Sequence, residues 1–133
     1  MITWLVNTVV TTRDGGITTF DIPVSSALEQ FHRDYLKLTG RVHESEETFA
    51  LGEDYMVIGT SALTGYEING AVNIYAGCHN NPFLVWGKYR KKWPRTILPV
   101  SFQFHHTQMD GIPAVAFLEW LQDEIQQVGR NRR

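Results

Sequence analysis

The spacing of apolar and polar positions changes along the chain, and each change marks an element. Residues 2–12 are rich in Val, Ile, Thr and Trp, side chains that suit a pleated surface, and predict a strand. Asp14-Gly15-Gly16 follows as a turn signal, because glycine takes up positive φ at little cost. Extended character resumes over residues 17–22, so the two pieces read as a hairpin. The period then lengthens. Ser26-Ala27-Leu28-Glu29 fits a capping box, and Leu28, Phe31, Tyr35 and Leu38 fall on one helical face before Gly40 supplies a stop. Residues 42–48 are polar and predict a loop.

Strand character returns over residues 55–61 and again over 66–75, the second run interrupted by Gly70. Residues 78–82 read as a turn, 83–88 as extended and 90–94 as a connection. The clearest alternation covers residues 97–106. Leu98, Val100, Phe102, Phe104 and His106 share one face, and Ile97, Pro99, Ser101, Gln103 and His105 share the other. Asp110-Gly111-Ile112-Pro113 then opens a helix, with a cap residue and a proline tolerated in the first turn. Phe117, Leu118, Leu121, Ile125 and Val128 give that helix an apolar stripe. Several strands and two amphipathic helices predict an α/β fold: a two-layer sandwich of a mixed β-sheet with helices mainly on one face.

Composition narrows the function classes. The 133 residues are 43% hydrophobic and 20% charged, which suits one globular domain over 1–133 with its own core. The formal net charge of −2 argues against general affinity for nucleic acid, although cations cluster over residues 88–92 with Arg95 and again over 130–133. No apolar run long enough for a membrane span is present. Cys78 is the one cysteine, which rules out an internal disulfide and a zinc cage of several cysteines, so no metal is expected. The first residues lack the pattern of a signal peptide, and the default expectation is a cytoplasmic protein.

The segment Phe104-His105-His106-Thr107-Gln108-Met109-Asp110-Gly111 carries the candidate chemistry. The alternation places His106 at the end of a buried strand, held rigidly and partly shielded from water. An imidazole titrating near neutrality takes a proton from a hydroxyl if one ring nitrogen is free and the other is tied as a donor, which fixes the tautomer. The plain alternative is a hydrogen-bonded core histidine, and the residues by themselves leave both open.

The pattern His-His-x-x-x-Asp-Gly resembles the signature of the chloramphenicol acetyltransferases, shared with nonribosomal-peptide condensation domains and plant acyltransferases. The flanks favour the first family. Leu98-Pro99-Val100-Ser101-Phe102-Gln103 is similar to its Leu-Pro-Leu-Ser-Val-Gln, and Gly87-Lys88-Tyr89 to its Gly-Lys-Tyr. Ser61-Ala62-Leu63, Phe117-Leu118-Glu119-Trp120-Leu121-Gln122 and Ile17-Thr18-Thr19-Phe20 also have counterparts. The resemblance runs from about Ile17 to Val128. Roughly the first third of the family pattern has no counterpart, Thr64-Gly65 replaces a Pro-Trp, and Val85 stands where a threonine is common.

The resemblance implies a CoA-dependent O-acetyltransferase, with acetyl-CoA as co-substrate and a small-molecule hydroxyl as acceptor. It implies His106 as general base and Ser61 as the hydrogen-bond donor to the tetrahedral oxyanion. Asp110 and Gly111 become structural residues of the loop that places the histidine; the arginine that pairs with the aspartate in the family lies in the part without a counterpart, so Asp110 finds another partner, Arg41, Arg90 or Arg95, or goes without. It also implies a homotrimer with the site between subunits, and it marks Lys88 and Tyr89 as fold positions only; their basic neighbourhood is either solvated loop charge or a stretch that suits the phosphates of CoA. Three other readings remain open: a truncated, inactive homologue that only binds or assembles; the core of a dihydrolipoyl acyltransferase; and a pure binding module.

Overall fold

A computed structural model describes residues 4–45, 56–71 and 81–131. It comprises two compact units, Met1–Gln103 and Phe104–Arg133. In chain order the elements are β1 (Trp4–Thr11), β2 (Ile17–Pro23), α1 (Leu28–Ser45), β3 (Met56–Leu63), β4 (Phe83–Gly87), β5 (Arg90–Lys92), β6 (Arg95–Ile97), β7 (Val100–Gln103) and α2 (Gly111–Asn131). Cys78 and the beginning of the run at 55 lie outside the described residues, as do 46–48 of the expected loop and 72–75 of the expected strand.

The first unit is built on a five-stranded sheet of order β2-β1-β3-β4-β7, with β5 and β6 forming a separate ribbon. β1 pairs antiparallel with β2, from Leu5 opposite Pro23 to Thr11 opposite Ile17. The expected turn closes this hairpin. Gly15 takes a φ of 88°, the Thr12 and Gly16 backbones bond at 2.9 Å, and the Gly16 amide donates to Asp14 Oδ1 at 3.1 Å. The Thr12 hydroxyl and then this amide hold the Asp14 carboxyl below its ordinary pKa. β1–β3 and β3–β4 pair parallel and β4–β7 antiparallel, so the sheet is mixed as expected.

Cross-strand partners share a face, and alternate residues change face. Phe20 and Ile22, 3% and 0% exposed, lie on the face that α1 covers, packed with Val10, Phe31, Tyr35 and Leu38. Three of the four residues of the predicted helical stripe thus reach the core; Leu28, in the opening turn, stays exposed. Burying a side chain the size of Phe20 or Ile22 contributes about 1.5–3 kcal/mol.

α1 departs from expectation at both ends. The amide of Ala27, just before the helix, donates to Ser25 Oγ at 3.2 Å, and Ser26 and Glu29 form no capping box. It also runs through Gly40 to Ser45, over residues expected to be loop. Glycine costs a helix about 1 kcal/mol but does not forbid it. Gly40 has no positive φ to break the turn, and polar pairs such as Gln30–Asp34 at 2.9 Å support the helix upstream.

Three further expectations are corrected. Residues 66–71 form no strand, and 90–94, expected as a connection, belong to the β5–β6 ribbon, which turns at a cis Trp93–Pro94 peptide. The long strand over 97–106 is divided: β6 ends at Ile97, and β7 covers only Val100–Gln103. Pro99 has no amide to donate, so the ladder cannot run through it.

In the second unit, α2 starts at the predicted position, with the Ala114 amide donating to the Asp110 carbonyl at 3.2 Å. Of its apolar stripe, Phe117, Leu121 and Val128 are half-buried, whereas Leu118 and Ile125 are exposed. No helix of the described residues is long and apolar enough to cross a membrane.

Candidate functional site

Ser61 lies within β3, not at its end. Its neighbour Thr60 is in register with Thr8, and Thr8 with Phe20, so Thr60 is on the face covered by α1. Ser61 therefore faces the opposite side of the sheet. Val85 of β4 is its partner, and Ser101 of β7 is the partner of Val85. Ser61 is half-buried, and its hydroxyl makes no hydrogen bond among the described residues.

That face is shaped by close approaches. A Cβ on Gly59 would sit 2.2 Å from Phe83 Cδ2, and one on Gly87 would sit 2.6 Å from Ile68 Cγ1. Side chains at these positions would displace the ring and the loop after β3. That loop is tied down at several points: the Tyr66 amide to the Leu63 carbonyl at 3.0 Å, the Lys88 amide to the Tyr66 carbonyl at 2.8 Å, and Ser101 Oγ to the Ala71 carbonyl at 2.7 Å. Farther along the same face, Asn7 Nδ2 donates to the buried Asp21 carboxylate at 2.7 Å. Sequence reasoning did not single out Asn7, Asp21 or the Ser101 tether. Polar residues at positions within otherwise apolar strands were the available signal.

In the second unit, the two histidines occupy different environments. His105 is half-buried and His106 exposed, in the turn that follows β7. The expected shielding of His106 on a strand face is therefore corrected: the strand has ended three residues earlier. The Gln108 and Met109 amides both donate to the His105 carbonyl, at 2.9 and 3.1 Å, which curls the chain around His106. His105 Nδ1 accepts the Thr107 amide at 3.2 Å and lies 2.7 Å from the Thr107 hydroxyl. His106 makes an edge contact with Phe104, ring centroids 5.8 Å apart and planes at 77°. Neither ring nitrogen of His106 hydrogen-bonds to a described residue.

Asp110 is exposed and sits at the N-terminus of α2, where a carboxylate interacts favourably with the helix dipole. It makes no ion pair or side-chain hydrogen bond among the described residues. Nothing lies within 4 Å of where a Gly111 Cβ would be. Lys88 and Tyr89 are exposed and lead into the ribbon, whose register places Arg90, Lys92, Arg95 and Ile97 on one face and Lys91 and Thr96 on the other. Ser61 belongs to the first unit and His106 to the second. Among the described residues no three His, Cys, Asp or Glu side chains converge as a metal site would require.

No family model matches the chain. It is similar to chloramphenicol acetyltransferase 3 of Escherichia coli, 26% identical over 107 residues, which cover 76% of this chain and 49% of that protein. The chloramphenicol acetyltransferase of Clostridium butyricum is 29% identical over 105 residues, covering 71% of this chain and 44% of that one. The chain thus spans about half the length of the curated relatives it matches. Among solved structures, a chloramphenicol acetyltransferase superposes with a TM-score of 0.67 at 18% identity, over 92% of this chain and 61% of that one. The cubic core of the pyruvate dehydrogenase multienzyme complex superposes with a TM-score of 0.71 at 18% identity, over 91% and 53%. The likeness to chloramphenicol acetyltransferases read from the motifs is borne out, and the fold is that of the CoA-dependent acyltransferases.

Proposed function

We propose that this chain carries the acyl-transfer residues of a CoA-dependent O-acetyltransferase, which moves an acetyl group from acetyl-CoA to the hydroxyl of a small molecule in the cytoplasm. The observation that carries this reading is the contrast between the histidines. The lone pair on His105 Nδ1 is engaged by Thr107, whereas neither ring nitrogen of His106 hydrogen-bonds to a described residue. A general base needs such a free nitrogen. His106 takes the acceptor's proton as its oxygen attacks the thioester carbonyl. The unengaged Ser61 hydroxyl donates to the resulting oxyanion. Collapse expels the CoA thiolate, which recovers the proton from His106. No acyl-enzyme intervenes. In the homotrimer that the resemblance implies, histidine and serine come from neighbouring subunits, Asp110 and Gly111 hold the turn, and the cations near Lys88 face the phosphates of acetyl-CoA.

Chloramphenicol is the first acceptor to test, with Val85 beside Ser61 making that part of the wall apolar. The assay is thiol release from acetyl-CoA, with and without chloramphenicol, by the purified chain and its His106→Ala variant. Release that requires both acceptor and His106 supports the reading; undiminished release by His106→Ala refutes it. One observation favours a second reading, an inactive homologue that only binds or assembles: the carboxylate of Asp110 has no partner among the described residues. Binding of acetyl-CoA without turnover of any acceptor would select it.

A further inference from the structure

We propose that Thr107 is a positioning residue that divides the roles of the two adjacent histidines, fixing His105 as a neutral donor and leaving His106 as the base. An amide N–H donates only to an atom with a lone pair. The Thr107 amide, 3.2 Å from His105 Nδ1, therefore favours an unprotonated nitrogen there, and a neutral imidazole then carries its proton on Nε2. The Thr107 hydroxyl, 2.7 Å from the same atom, donates to the same lone pair as the shorter of the two contacts. His105 is also fixed at its other end, where its carbonyl accepts from Gln108 and Met109.

The consequences concern both rings. His105 has no lone pair left for proton abstraction, so the two neighbouring imidazoles do not compete for the acceptor's proton. Its Nε2–H is a donor only. The bonds from residue 107 back to residue 105 also close a small ring of chain around His106, with Phe104 against the imidazole edge. Threonine thus sets which histidine is the base and where it stands. The motif spacing leaves Thr107 as an unspecified position, and nothing in the pattern His-His-x-x-x-Asp-Gly assigns it this task. The kinetic part of this inference rests on the acyl-transfer reading; the tautomer does not.

The test is two-bond proton–nitrogen correlation spectroscopy of the 15N-labelled full chain at a pH above the imidazole range. The His105 signals are identified by their loss in His105→Asn. The expected result is an unprotonated Nδ1 and a protonated Nε2 for His105 in the wild type and in Thr107→Ser, with both nitrogens moving part of the way toward averaged values in Thr107→Val and Thr107→Ala, which lose the hydroxyl at 2.7 Å and keep the longer amide contact. In thiol-release assays kcat should fall about tenfold in Thr107→Val at nearly constant KM, the scale of one neutral hydrogen bond, and return in Thr107→Ser. A protonated Nδ1 in the wild type, or unchanged His105 shifts in both Thr107→Val and Thr107→Ala, overturns the proposal. If the wild type transfers no acetyl group to any acceptor, the acyl-transfer reading fails while the spectra still decide the tautomer.

Discussion

Gly59→Ala tests how tightly the sheet is packed on the side that carries Ser61. Gly59 and Phe83 are register partners on adjacent parallel strands, and their side-chain positions share that face. A methyl group at residue 59 would meet Phe83 Cδ2 at 2.2 Å, Cε2 at 2.7 Å and Cγ at 3.3 Å. Carbon atoms settle about 3.5–4.0 Å apart, so the ring must shift by more than 1 Å. The strands cannot simply part, because the Gly59 amide donates to the Pro82 carbonyl at 2.8 Å. Overpacking of this kind costs about 1–3 kcal/mol. Replacing glycine also restricts the unfolded chain, which offsets about 0.4–1 kcal/mol. The net expectation is a loss of about 1–2 kcal/mol. Urea unfolding reads this as a fall in midpoint of roughly 0.5–1 M with an unchanged slope. Phe83→Leu should relieve the clash, so the double variant should be more stable than the sum of the single changes predicts, by about 1 kcal/mol. A midpoint for Gly59→Ala at or above the wild-type value, or strict additivity with Phe83→Leu, would refute the packing argument.

Ser61→Ala should lower kcat for acetyl transfer by about 10²–10³-fold, the usual loss when one oxyanion donor is removed, while leaving the urea midpoint unchanged; an unaltered rate would remove Ser61 from the chemistry. The β1–β2 turn should show a pH signature. The pKa of Asp14 is lowered in the folded chain, so its contribution is fully present above the unfolded value of 3.8 and is lost as pH falls through the lower folded value. The difference in urea midpoint between wild type and Asp14→Ala should therefore shrink in acid, and a gap that stays constant down to strongly acidic pH would contradict the hydrogen bonds assigned to that carboxylate.

Elements fixed by local chemistry were legible in the sequence. The Asp14-Gly15-Gly16 turn, the start of α2 at Asp110-Gly111 and the core face of α1 follow from backbone preference and side-chain period, and all three are found. The errors arose where pairing decided the outcome. Residues 97–106 alternate without a break, but alternation describes the faces of a strand and not its neighbours. β6 pairs with β5, outside the main sheet, and β7 has a partner only along β4. β4 begins at Phe83, opposite Gln103, and Pro82 before it has no amide to donate to a ladder continuing along Phe104. The chain leaves the sheet there, and His106 follows in a turn.

The same reasoning explains why the candidate site was only half legible. The motif pointed to His106 as a candidate, and likeness to the acetyltransferases to Ser61, but neither showed that both side chains are without hydrogen bonds among the described residues. A histidine beside a histidine carries no mark of which ring keeps its lone pair. That depends on a contact between residues 105 and 107 across a turn that begins where the expected strand still ran, through His106: in an extended strand, side chains two apart stand about 7 Å from each other, too far for a 2.7 Å bond. Ending β7 at Gln103 is therefore what makes the His105–Thr107 contact geometrically possible. The break in the sheet thus precedes and permits the difference between the two histidines.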